Sequence, residues 1–204
     1  MYKPSLREIK KEATAHAIAD AAFELALERG LDGFVVEDVV QRAGYSRRTF
    51  ANHFSCKEEA VAMAAFNFKA TIEDEALFEN LPESTPPLEV LHQWLKMQLT
   101  VGLLRRLHEL VSLSKRHPTL EPYILSVFHK LQAAAQEALN SVLHGRYPEG
   151  YSHLLIGAVF GAILPILDGS LNVLLPDEQE AETPGATTFD QYLDMAFGYL
   201  RDGL

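Results

Sequence analysis

What most restricts the fold of this 204-residue chain is its punctuation. Glycines and prolines cut it into helix-length pieces, and no run alternates apolar and polar residues in the way a half-buried strand requires. The expected fold class is therefore all-α. Ile18, Ala21, Ala22 and Leu25 mark one face of a first helix that stops at Gly30. Short helices are predicted over 36–43 and 47–53, and a longer one begins at Lys57. Pro82, Pro86 and Pro87 then break the chain. Further helices are predicted over 88–101, 103–116, 119–144, 150–174 and 188–202, with an acid-rich loop over 176–187.

With 48% hydrophobic residues the chain can bury an ordinary core. The one cysteine, Cys56, rules out a disulfide framework and reads as a small residue beside the next helix; no His/Cys spacing suggests a metal. Neither cofactor nor metal is expected, and the setting is a reducing cytoplasm. The N-terminus carries no apolar leader. The longest apolar run, Leu154 to Leu167, is shorter than the roughly 20 residues a membrane span needs, so it is expected to be a buried core helix.

A formal charge of -10 sits poorly with nucleic-acid binding, but its distribution is uneven. Residues 1–60 hold nine Lys and Arg against ten Asp and Glu, which leaves -9 to the rest. Val39 to Lys57 contains Arg42, Arg47, Arg48 and Lys57 and no acid. In the same stretch, Val39 and Ala43 share the inner face of a short helix, Gly44 permits a sharp turn, and Ser46 is a good N-cap for the next helix. Phe50 and Phe54, four apart, point back into the small core. Arg47 and Arg48 are thereby left in the exposed first turn, where a recognition helix offers residues to base edges. Arginine can bond O6 and N7 of guanine together, so these two are the candidates for base readout. Ser46, Thr49, His53 and Lys57 are expected to hold phosphates, and the full DNA-contacting set is Arg42, Ser46, Arg47, Arg48, Thr49, Phe50, His53 and Lys57.

Residues 8–60 resemble the DNA-binding region of the TetR family of bacterial transcriptional regulators. The resemblance rests on the helix Ile18–Gly30 ending in Glu-Arg-Gly, and on the ordered positions Ala43, Gly44, Tyr45, Ser46, Thr49, Phe50, Phe54, Lys57 and Glu58. It departs from the family at Val35, where a capping threonine is usual, and at Val40, Ala51 and His53, which implies a retuned grip on the backbone. The resemblance implies a DNA-binding domain over 1–56 and a ligand-sensing and dimerisation domain over 57–204. It implies a repressor that binds double-stranded, palindromic operator DNA as a homodimer and is released by a small apolar effector.

By the same resemblance the last two helices pair across a two-fold axis. Gly157 and Gly161, four apart in an apolar helix, would allow close backbone approach, and Phe160, Leu164, Phe189, Leu193 and Phe197 complete the expected dimer contacts. A ligand cavity is implied among Phe66, Trp94, Met97, Leu104, His108, Tyr123 and Phe128. No nucleophile elbow, phosphate-binding glycine loop or zinc-protease motif is present, so no enzyme is expected, and no membrane partner either. A helical adaptor that has lost DNA binding is the other alternative.

Overall fold

The computed structural model describes residues 5–65, 82, 84–143, 145–176 and 185–203. Among them the helices are α1 (Leu6–Arg29), α2 (Val36–Ala43), α3 (Arg47–Ala51), α4 (Lys57–Met63), α5 (Pro87–Gln98), α6 (Val101–Arg116), α7 (Glu121–Leu143), α8 (Glu149–Leu167) and α9 (Phe189–Asp202). Single 3-10 turns occupy Leu31–Gly33 and Pro118–Leu120. The fold class is all-α. Its one departure among the described residues is a two-residue parallel pair, with Val173 opposite Thr187 and Leu174 opposite Thr188.

Local chemistry explains the helix ends. Ser5 caps α1 by accepting the Glu8 N–H, and the Glu8 carboxylate takes the Ser5 N–H at 2.7 Å. Thr188 and Gln191 repeat that exchange at the start of α9. Helix α8 stops seven residues before the sequence-predicted end. There Gly169 turns left-handed (φ 73°) and Asp168 accepts the Ser170 N–H at 2.8 Å, which takes the chain out of helical geometry.

The chain divides into two compact units, Met1–Asn67 with Glu109–Phe128, and Phe68–His108 with His129–Leu204. Packing therefore cuts the chain differently from a boundary at residue 56. In the first unit α4 packs on α1, burying Ala60, Val61 and Ala62, while α1 buries Ala19, Ala22 and Ala26. The end of α6, the 3-10 turn after it and the start of α7 add the buried Leu110, Leu113, Leu120, Ile124 and Val127. Tyr123 brings its hydroxyl 3.2 Å from Cys56 Sγ, which also caps α4 by accepting the Glu59 N–H.

In the second unit α5 buries Leu88, Val90, Leu91, Trp94 and Leu95, and it packs on α9. Polar links run beside that apolar contact. Asp194 lies 2.6 Å from Lys96 and 3.0 Å from His92, and Arg201 Nε donates to Glu89 at 2.9 Å. The Lys96 ammonium, more than His92, holds the Asp194 carboxyl below the usual range.

The expectation that α8 is a buried core helix needs correction. Gly150–Leu167 has mean hydropathy 1.7, long and apolar enough to cross a membrane by length and composition, yet only 33% of it is buried. Its covered face carries Ile156, Val159, Ile163, Ile166 and Leu167. Leu154 is 75% exposed and Leu164 38%, and Gly157 and Gly161 lie on the same open side.

Candidate nucleic-acid interface

The helix-turn-helix forms as its residues dictate. Gly44 ends α2 at φ 75°, and a Cβ there would meet nothing within 4 Å, so glycine is needed for the backbone conformation, not for space. Ser46 caps α3, its Oγ accepting the Thr49 N–H at 3.0 Å and lying 2.8 Å from the Thr49 hydroxyl. Phe50 and Phe54 pack with centroids 5.8 Å apart, beside a core that includes Ile18, Leu25, Val39 and Val61.

At 3% exposure Phe50 is a core side chain, so its place among the DNA contacts gives way to packing. It fixes how α3 sits, its ring turned into the head's core. Arg47 and Arg48 are exposed in the first turn of α3 as expected.

The basic stretch is less positive than its composition suggests, because acids from neighbouring helices answer it. Arg42 forms a two-pronged pair with Glu28 of α1, at 2.7 and 2.6 Å, and Glu24 adds a contact at 3.9 Å. That hydrogen bond holds the Glu28 carboxyl below its usual range. Arg42 thus ties α1 to α2 and is not a loose phosphate contact. Arg47 lies 2.7 Å from Glu37, but its side chain is 76% exposed, and a pair so wet is weak and exchangeable. For Arg48 no ion-pair partner exists among the described residues.

Lys57 departs furthest from expectation. Its ammonium donates to the Leu31 carbonyl at 2.6 Å and to the Phe34 carbonyl at 2.8 Å, and it lies 4.9 Å from the centre of the Phe34 ring. These carbonyls belong to the connection between α1 and α2, so Lys57 is a clamp inside the head and not a free cation for phosphate. His53 is half-buried; desolvation first, and the Lys11 charge second, hold its imidazole below the ordinary value. Near neutral pH the ring is uncharged and offers a hydrogen bond, not a charge. Val35 leaves α2 without a side-chain cap, although its own N–H is taken by Asp38 at 2.9 Å.

With this geometry in place, the comparisons with known proteins bear on the head. Residues 18–62 match the family described as bacterial regulatory proteins, tetR family. Residues 18–62 are thus a TetR-type DNA-binding head. The TetR head is 40% identical over 52 residues to YwcC, an uncharacterized HTH-type transcriptional regulator of Bacillus subtilis (strain 168). That match covers 26% of this chain and 23% of the relative, so the chain matches about a quarter of the length of this curated relative. A solved structure described as a TetR-family transcriptional regulator from Mesorhizobium loti has TM-score 0.52 at 17% identity. It covers 94% of this chain and 96% of that one, a likeness of fold along nearly the whole chain.

The expected ligand residues are divided between the two units. Phe66 lies outside the described residues. Tyr123 and Phe128 belong to the first unit, whereas Trp94, Met97, Leu104 and His108 belong to the second. Trp94 and Leu104 are packed core, and Met97 is 36% exposed. His108 does face a pocket of about 340 Å³, lined with Ile166, Gly169, Ser170, Leu171, Asn172, Val173 and Leu175. Its Nδ1 is buried without a hydrogen-bond partner. Sequence reasoning missed the loop side of this pocket because it placed residues 168–174 inside a helix.

The expected dimer contacts split by helix. On α8, Gly157, Gly161 and Leu164 are open, and Phe160 is half-buried. On α9, Phe189, Leu193 and Phe197 are only 3%, 2% and 1% exposed, and Phe197 stacks on His92 at 4.3 Å. These three face their own chain's core. The open side of α9 carries Met195 and Tyr199 instead.

Proposed function

We propose that this regulator is a repressor that binds an approximately palindromic operator as a cytoplasmic homodimer and releases it when a small molecule occupies the second unit. The observation that carries the reading is the geometry of α3: Ser46 caps it, Phe50 is buried, and Arg47 and Arg48 stand exposed in its first turn. Insertion of that turn into a major groove brings the two guanidinium groups to base edges, with Ser46, Thr49 and His53 beside the backbone. Arg47 would exchange Glu37 for DNA. Arg48 has no such exchange to make.

Arg48 is accordingly the sharper test. Operators selected from random duplexes are to be measured by fluorescence anisotropy against their single-base variants. Arg48→Ala is expected to lose about 1 to 3 kcal/mol of discrimination at one position of each half-site. A loss spread evenly over all sequences would remove Arg48 from base readout.

The dimer reading is supported by the open side of α8, where Leu154, Gly157, Gly161 and Leu164 are left uncovered by a helix this apolar. Two copies meeting there would set the reading heads for successive major grooves, roughly 34 Å apart. Leu154→Asp with Leu164→Asp is expected to weaken association at least about tenfold by sedimentation, because each would bury an unpaired carboxylate. Unchanged association would place the interface elsewhere. For the effector, the pocket at His108 is large enough for a small ligand, and its walls mix Ile166, Leu171, Val173 and Leu175 with the polar His108, Ser170 and Asn172. A small effector with apolar bulk and polar groups, one of them able to bond His108 Nδ1, fits that lining.

A further inference from the structure

The helix-turn-helix leaves the DNA-reading head short of free positive charge. Arg42 is held by Glu28 and Lys57 by two carbonyls, which leaves Arg48 and, once it gives up its wet pair with Glu37, Arg47. Electrostatic attachment to a duplex needs several phosphates neutralised, since each contributes about 0.9 to the salt dependence of binding. Two arginines neutralise few phosphates, so further exposed cations on the first unit would add to the grip.

Helix α1 supplies them. Its first eight residues, Leu6–Ala13, are all exposed, so the helix overhangs the head by about 12 Å before burial begins. Charge on this overhang is sorted by face. Arg7, Lys10, Lys11 and Thr14 recur at three- and four-residue intervals on one side, while Glu8 and Glu12 lie together on another. Glu8 is further engaged in capping Ser5. Carried onward at the same intervals, the stripe through Arg7, Lys11 and Thr14 reaches Ile18, Ala21 and Leu25, which are 0%, 5% and 1% exposed. The basic stripe is therefore the outward continuation of the side that α1 turns toward the head. At its inner end the Lys11 charge acts on His53, two residues past the end of α3.

We infer that the overhanging first turns of α1 form a second DNA contact, in which Arg7, Lys10 and Lys11 grip phosphates flanking the groove occupied by α3. The contact works through side-chain charge and reads no bases. It rests on the DNA-binding reading of the head and extends its footprint beyond the helix-turn-helix. The recognition helix is only five residues long, and a grip outside it lets so short an element hold its register.

The test uses the full chain and a labelled, mixed-sequence duplex about 30 base pairs long, titrated by anisotropy over a series of salt concentrations. Combining Arg7→Ala, Lys10→Ala and Lys11→Ala is expected to reduce the slope of log K against log salt by about 2 to 3. Affinity should fall on the order of a hundredfold at about 0.1 M salt. Lys11→Arg should restore its share, and Arg146→Ala, which removes one charge far along the sequence, should change the slope by less than about half a unit. The three side chains are exposed, so helix content by circular dichroism should not change. A readout free of DNA is the His53 imidazole titration by NMR, whose midpoint should move upward in Lys11→Ala. A triple variant with the parent's salt slope overturns the proposal, and so does a His53 midpoint that stays put. Should the parent itself bind no duplex, the DNA-binding reading falls and takes this contact with it.

Discussion

Replacing Phe197 by alanine is expected to cost the second unit about 3 to 5 kcal/mol of stability, the range for an aromatic ring removed from a packed core. Phe197 is 1% exposed and its ring lies 4.3 Å from His92, nearly parallel. The neighbouring contacts between α5 and α9, Asp194 with Lys96 and Arg201 with Glu89, are partly exposed and cannot compensate for the cavity. Urea or thermal unfolding of the full chain measures the loss. An interface residue would behave in the opposite way, weakening association while leaving each protomer's stability nearly intact. A Phe197→Ala protein as stable as the parent, yet monomeric, would return this side of α9 to a dimer contact. The Leu154→Asp, Leu164→Asp protein provides the contrast, since those side chains are already open.

Removing the Lys57 ammonium while keeping its stem, as in Lys57→Met, is expected to destabilise the head by about 2 to 3 kcal/mol. Two carbonyls, Leu31 and Phe34, would lose a charged donor at 2.6 and 2.8 Å, and hydrogen bonds to charged groups contribute about 1.5 to 3 kcal/mol. The cation over the Phe34 ring would go too. For a unit of this size the loss corresponds to roughly ten degrees or more in Tm. If Lys57 instead acted only on phosphate, Lys57→Met would leave the Tm unchanged and flatten the salt dependence of DNA binding. The two roles are thus separated by one substitution and two measurements.

The parts of the head legible in the sequence were those fixed by neighbours within a few residues. The bounds of α2, the left-handed turn at Gly44, the Ser46 cap and the burial of Phe54 all follow from spacings of three or four. Partners from distant segments were not legible. Nothing near Arg42 announces that Glu28 reaches it from α1, nor that Lys57 turns inward to carbonyls 23 and 26 residues earlier. The same limit applied to α9. Periodicity placed Phe189, Leu193 and Phe197 on one face, but only packing against α5 shows that this face turns inward. At the end of α8, apolar residues on both sides of Asp168–Gly169 hid the turn. The pairing of Val173 with Thr187 then lay beyond any local signal.

A helix as apolar as α8, left open along Leu154, Gly157, Gly161 and Leu164 by its own chain, has a thermodynamic consequence. If a second copy covers that side, assembly and folding become one linked equilibrium, and the second unit's stability belongs to the pair. Dilution then acts as a denaturant. Melting temperature rises with protein concentration, and a cell holding few copies of the regulator sets, by number alone, how many are folded well enough to bind.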